Sequence, residues 1–243
     1  VRLFYLPFDH ENMLNLLYEA EFDWDERGNY SRDVLEQFVD KKQFELLDTS
    51  GFPNYMVEFI ESYFEDDEDF SRARAIHFLT DGWYKWLRNS GNDFVARFAD
   101  YKQNMGNILL AMNGRKHDIP FEDAIIGDDE ITQALKKSRS RDFGLSTEVN
   151  DIENIIQIFE MENILEREMR LDNHMWKFLD EVTFFDYFTI EKILAFVQKV
   201  FVVERWFKLD KEKGQQIFNK LLQELQSNFE FPEEFAITYG KRK

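Results

Sequence analysis

Residues Trp176 to Trp206 read WKFLDEVTFFDYFTIEKILAFVQKVFVVERW, the densest run of large apolar and aromatic side chains in the chain. Ile190, Ile193, Leu194, Val197 and Phe201 fall at the i, i+3, i+4, i+7, i+11 spacing of one helical face. Phe196, Val200 and Val203 widen that face until little is left for water. A helix that is apolar most of the way round is buried on several sides. The stretch therefore reads as the central helix of a helical domain, with Asp186 or Thr189 at its N-cap and Leu209-Asp210 at its exit. Glu191, Lys192, Lys199 and Glu204 interrupt it, so no uncharged apolar run reaches the about 18 residues of a membrane span.

The rest of the composition agrees with a helical reading. A chain of 243 residues with 44% hydrophobic content can bury a sizeable core. Only 10 Gly and 4 Pro among 26 Phe describe long elements with few turns. Leu, Glu, Lys, Gln, Met and Asn fill the gaps, and no period-2 strand run stands out. With no cysteine, disulfides, thiolate metal sites and a Cys nucleophile are excluded, as fits a reducing cytosol. The chain opens at Val1 without a secretory signal, and a further N-terminal segment is expected upstream.

Charge is unevenly spread. Of the net −18, residues 1–70 hold 19 Asp/Glu against 5 Lys/Arg, whereas residues 199–243 hold 9 Lys/Arg against 7 Asp/Glu. Such acidity repels duplex nucleic acid, so phosphate-backbone binding is not expected. The acidic third reads either as a solvated face or as a surface that meets a basic partner.

Taken in order, Pro7-Phe8-Asp9 opens a first helix with Asp9 as its cap, and Met13, Leu16 and Leu17 face inward. Ser31 caps a second helix, which ends near Thr49–Pro53, and a third runs from Asn54 into Glu65-Asp66-Asp67-Glu68-Asp69. That acidic run lacks the alternating ligands and mid-loop glycine of a calcium loop and reads as a connection. An aromatic helix spans 70–87, and Asn92 or Asp93 caps a long helix that Asn113-Gly114-Arg115-Lys116 closes. Residues 117–130 form a connector with a turn after Pro120. A short helix from Asp129 leads into Lys136-Lys137-Ser138-Arg139-Ser140-Arg141, which reads as solvated chain or as a mobile basic contact. Thr147 or Asn150 starts a helix carrying Ile152, Ile156, Phe159 and Leu165 through to Leu171. Asp210 caps a last helix with Ile217, Phe218, Leu221, Leu222 and Leu225.

Two helices echo one another. Asn12-Met13-Leu14-Asn15-Leu16-Leu17 and Asn104-Met105-Gly106-Asn107-Ile108-Leu109 share N-M-x-N followed by two aliphatics. Chance likeness between amphipathic helices and a duplicated helical unit both account for this. Asn has mediocre helix propensity, and its amide can tie a helix to a neighbouring backbone.

Motifs for chemistry are missing. His10, His77, His117 and His174 stand apart, with no carboxylate or second His at metal-ligand spacing, and each reads as structural. No G-x-G-x-x-G, P-loop or G-x-S-x-G occurs. Trp83, Trp86, Phe184, Phe185 and Trp206 read as core. No catalytic, cofactor or metal residue is singled out, and the chain reads as not an enzyme.

The echoed helices, with the closing Asn113-Gly114-Arg115-Lys116, resemble the helical repeats of the V/A-type ATP synthase C subunit (d in eukaryotes). The run with Trp176, Leu179, Glu181, Phe184, Phe185, Tyr187, Phe188, Ile193, Leu194, Ala195 and Arg205-Trp206 resembles an uncharacterised bacterial family encoded within V-type ATPase operons. The resemblance implies an all-α body of related helical units that sits on the membrane ring and receives the central shaft. It has three units in the C subunit against an echo of two here, so no partner-facing residue is carried over. The expectation is a single all-α domain over 1–243 of about nine to eleven helices. Helical units over 1–116 and 147–230 are joined by a connector at 117–146. The implied function is a non-catalytic central-stalk connector of a proton- or sodium-transporting V-type ATPase. Its partners are shaft and ring subunits, and it is cytoplasmic, reaching the membrane only through the complex. A helical adaptor or assembly factor is the alternative, and a helical-bundle hydrolase or metal-dependent enzyme requires a deep polar pocket, or carboxylates and a His converging within metal-ligand distance.

Overall fold

The computed structural model describes residues 1–19, 21–65 and 70–209, and every regular element among them is helical. Ten α-helices follow a 3-10 turn at Arg2–Phe4: α1 (Leu6–Tyr18), α2 (Arg32–Val39), α3 (Lys41–Phe44), α4 (Asn54–Glu65), α5 (Arg72–Arg88), α6 (Asp93–His117), α7 (Glu130–Lys137), α8 (Ile152–Phe159), α9 (Ile164–Val182) and α10 (Ile190–Phe207). The protein is thus a multi-helix all-α chain. It divides into two compact units, Val1–Ala195 and Phe196–Lys243. The acidic residues Asp66–Asp69 and the helix expected from Asp210 lie outside the described residues.

Within the first unit α5 packs against α1, α4 and α6. Phe98 on α6 meets Phe4 edge-on at 5.2 Å, and Phe38 stacks on Phe52 at 4.0 Å. Phe38, Phe59, Phe98, Met13, Met56 and Leu79 are fully enclosed. The abundant phenylalanine is therefore spent on ring-to-ring packing between helices that few glycines interrupt. A second cluster joins Ile108, Ala111 and Met112 of α6 to Ile125, Leu135, Phe143 and to Ile152, Ile155 and Ile156 of α8.

Local rules account for most boundaries. Asn92 Oδ1 accepts from Val95 N at 3.1 Å, Asp129 Oδ1 from Thr132 N at 2.8 Å, and Asn163 Oδ1 from Glu166 N at 3.2 Å. The Asn163 cap splits what reads in sequence as one helix from 147–150 to 171 into α8 and α9. The apolar face of Ile152, Ile155, Ile156 and Phe159 stops at this break, since Glu162, Asn163 and Glu166 stand where it would continue and Ile164 and Leu165 are exposed. Two other expectations change. Gly114 does not stop α6: it lies inside the helix beneath the Phe121 ring, and Asp118 (φ 54) takes the left-handed cap position. Asp9 does not cap α1, which starts at Leu6 with Pro7 in its first turn. It is buried in the first turn, where Oδ1 accepts from Tyr30 N at 3.1 Å and Oδ2 from Asn29 Nδ2 at 2.7 Å. Burial raises its carboxyl above the usual range.

The echo has a structural counterpart, shifted by one helical turn. Asn12 of α1 accepts from Asp25 N and donates to Asp25 O, both at 2.9 Å. Asn107 of α6 accepts from Ile126 N at 3.0 Å and donates to Ile126 O at 2.7 Å. Each amide satisfies both backbone groups of one loop residue. A close glycine crossing follows each time: a Cβ on Gly28 would stand 2.5 Å from Asp9 Oδ1, and one on Gly127 (φ +98) 2.5 Å from Gln103 Nε2. An eight-residue helix follows both, α2 and α7. The sequence match pairs Asn12 with Asn104, whereas the geometry pairs it with Asn107.

Replacing Asn107 by Ala strands the N–H and C=O of Ile126 in a partly buried site, and is expected to lower stability by about 1–3 kcal/mol. Asn104→Ala, without such a clasp, should lose less than about 1 kcal/mol. Urea denaturation of both variants decides it; equal losses would remove the clasp from its role.

His10 sits buried beside this region with Nε2 2.7 Å from the Tyr55 hydroxyl. Burial lowers its pKa from 6.5 to about 3. Because the folded value is depressed, its contribution is complete above pH about 6.5. It is lost as pH falls towards 3, at up to about 1.4 kcal/mol per pH unit, since only the unfolded chain takes the proton. The stability difference between the wild type and His10→Gln should therefore change between pH about 7 and 4, with the variant declining less steeply. A pH-independent difference would show that His10 is not excluded from protonation.

Candidate functional site

The run expected to form the most buried helix instead carries the most exposed apolar surface in the described chain. In α10 only Leu194, Ala195 and Val202 among the apolar residues are buried. Ile190, Ile193, Phe196, Val200 and Val203 are exposed, as is Phe207 at the helix end. The period correctly places the helix, but an apolar pattern on all sides leaves open which side the protein covers.

Within the first unit, the connection between α9 and α10 is exposed as well. Phe184, Phe185, Tyr187 and Phe188 are 62%, 84%, 71% and 106% exposed. At roughly 200 Å² per ring these four alone show water on the order of 600 Å², at the upper limit for a monomer's largest apolar patch. The exposure is not that of loose chain. Lys192 Nζ donates to Thr183 O and Oγ1, both at 3.2 Å, and so ties the first turn of α10 to the end of α9. Thr183 Oγ1 in turn donates to Leu179 O at 2.7 Å, and Asn92 Nδ2 donates to Glu191 Oε1 at 2.7 Å. Hydrogen bonds, its own backbone N–H first and then Thr189 and Asn92, hold the Glu191 carboxyl below the usual range. Phe184 and Phe185 pack edge to face at 4.9 Å. Phe188 adopts φ 59, a left-handed conformation that a bulky side chain resists and that concentrates at binding sites. Asp180, Glu181, Asp186 and Glu191 border the rings in sequence. Phe184 and Phe185, read from sequence as core, are thus surface, whereas Trp83 is buried.

A second feature is a polar cleft of about 820 Å³ between α6, α9 and the start of α8. Tyr101 Oη lies 2.7 Å from His174 Nδ1, and His174 Nε2 lies 2.5 Å from Asp151 Oδ2. One imidazole tautomer satisfies both, with the tyrosine donating to Nδ1 and Nε2–H donating to the carboxylate. Tyr101 also stacks on Phe178 at 4.1 Å. Burial, then Asp151 and Asp172, push the Tyr101 hydroxyl above its usual range, so it serves as a donor and not as a base. The chain of contacts clamps α9 to α6. Sequence spacing had no means of finding it, because His174 and Asp151 meet only through tertiary packing. His10, His77 and His174 each approach a different partner, and no group of three or more His, Asp or Glu among the described residues gathers at metal-holding distance.

The basic run ending at Arg141 is not free chain. Arg141 Nη1 donates to both Glu153 oxygens at 2.8 and 3.0 Å, and Nη2 donates to Glu160 at 2.9 Å. Arg115 donates to Ser140 O at 2.6 Å and also to Ser138 O. These bonds fold the run back onto α6 and α8. None of the described helices is long and apolar enough to cross a membrane.

Among curated proteins and among solved structures nothing matches this chain. Residues 1–229 match a family described as "Protein of unknown function (DUF2764)", and the chain belongs to that family.

Proposed function

We propose that the protein is a non-catalytic connector in the central stalk of a V-type ATPase, joining the rotor shaft to the membrane ring. The assembly is suggested by the resemblance of the helical echo and of the 176–206 run to C-subunit-like proteins. The observation that carries a docking role is the pinned, exposed aromatic surface from Phe184 to Ile193. A surface of that size faces a partner more economically than it faces water. Its acidic border favours a partner whose apolar patch is rimmed by Lys or Arg, and such charge complementarity sets orientation and approach. Torque transmission asks for packed helices and broad contact surfaces, and the helical packing is in keeping with this reading. On this reading the protein acts at the cytoplasmic side of the membrane and is held there by the complex. An adaptor or assembly factor using the same surface is the alternative, and it differs by leaving the finished enzyme.

Affinity capture of the full chain from detergent-solubilised membranes of its source cell tests this. Near-stoichiometric shaft and ring subunits are expected with the wild type. Recovery should fall at least about tenfold with Phe185→Asp combined with Phe188→Asp, both exposed enough to leave the fold intact by circular dichroism. Recovery only of incomplete assemblies would select the assembly factor. Recovery of neither shaft nor ring would overturn the connector.

A further inference from the structure

A pocket of about 410 Å³ opens between the last turns of α6 and the outer face of α8, away from the aromatic surface in sequence. Its floor is apolar: Met112, Phe143, Ile156 and Phe159, all buried among their neighbours. Its rim is cationic: Arg115, Lys116 and Arg141, with Glu160 the one carboxylate. In a chain of net charge −18 a local excess of positive charge around an apolar hollow runs against the average.

The cations differ in how they are held. Arg141 is occupied by Glu153 and Glu160. Arg115 spends its donors on two carbonyl groups, and its guanidinium lies 3.5 Å over the Phe143 ring. Lys116 stands 5.3 Å over the Phe159 ring. Neither Arg115 nor Lys116 has a carboxylate partner among the described residues. Slight burial lowers Arg115 from its usual range, though the residue stays exposed. Phe143 itself is held at φ 58, followed by Gly144 at φ 74, so the backbone turns through two left-handed residues to lay this ring in the floor. An apolar hollow with a few convergent polar groups, in the range of about 300–1,000 Å³, is the ordinary form of a small-molecule site.

We infer that this pocket binds a small amphiphilic anion, an aliphatic or aromatic body carrying one carboxylate, with the body on Phe143, Ile156 and Phe159 and the carboxylate between Arg115 and Lys116. The ligand's own apolar body leaves water against a floor already dry, and the carboxylate supplies the counter-charge the two cations lack. Neutral analogues lose the second contribution, and cationic ones meet repulsion. The site is independent of the connector reading.

Isothermal titration calorimetry of the full-length protein with decanoate, decanol and decylammonium, all kept below micelle formation, tests the assignment. Decanoate should bind one to one, with a dissociation constant below about 1 mM and at least about tenfold tighter than decylammonium. Lys116→Glu should weaken decanoate at least about tenfold, and Lys116→Arg should restore it. The exposed position of Lys116 keeps the fold out of question. Phe185→Asp with Phe188→Asp should leave decanoate binding unchanged. No decanoate binding, equal affinity for decylammonium, indifference to Lys116→Glu, or loss in the aromatic-surface variant would each overturn the site.

Discussion

One interaction is made twice, and the first unit depends on it: a buried asparagine that satisfies both the N–H and the C=O of a single loop residue. Asn12 does this for Asp25 and Asn107 for Ile126. A loop between two helices carries backbone polar groups that resist burial. By answering both groups with one amide, the helix can pull the loop against itself and still bury its neighbours. The glycine that follows then lets the chain cross the helix closely, and a short helix departs. Without the clasp the second hydrophobic cluster, which rests on Ile125 and Leu135, would open to water. Recurrence of helix, clasp, glycine and short helix in the same order favours duplication over chance likeness between amphipathic helices.

The clasp also shows how far sequence alone reaches. The N-M-x-N echo marked the right two helices and the right residue type, and the amide's capacity to hold a backbone was legible from its chemistry. Its register was not, because the repeat aligns Asn12 with Asn104 while the loop reaches Asn107. The clasped residue lies 13 positions after Asn12 but 19 after Asn107, because α1 ends six residues beyond Asn12 and α6 ten beyond Asn107. Caps at Asn92 and Asp129 were legible because a cap is a local contact. The Asn163 break is hidden only when the apolar residues on its two sides are counted together, because Glu162 and Asn163 interrupt the face that Ile152, Ile155, Ile156 and Phe159 share. The Tyr101–His174–Asp151 chain lies at the far end of this scale: nothing local predicts a contact between residues 73 or 23 positions apart.

The exposed face of α10 is the most instructive departure. A helix apolar all round is buried, but burial inside a domain and burial at an interface demand the same side chains. The run 184–203 satisfies the pattern for a central helix and yet shows water its isoleucines and phenylalanines. The candidate surface was therefore legible as apolar and not as surface. Loose chain would expose rings by accident. Here Lys192 to Thr183 and Asn92 to Glu191 hold the connection in place. Fixing side chains before binding lowers the entropy lost on association, so a pinned aromatic loop is better prepared for a partner than a mobile one.

Charge completes the comparison between the two surfaces. Around the aromatic loop the bordering side chains are mostly acidic, in keeping with a chain of −18. Around the α6–α8 pocket they are mostly basic, and Arg115 and Lys116 owe their charge to no carboxylate among the described residues. A molecule that gained only solubility from its charge would have no reason to gather cations over an apolar hollow. Two surfaces of opposite border charge and different size answer to different chemistry: a broad one suited to protein, and a small one suited to an anion with an apolar body.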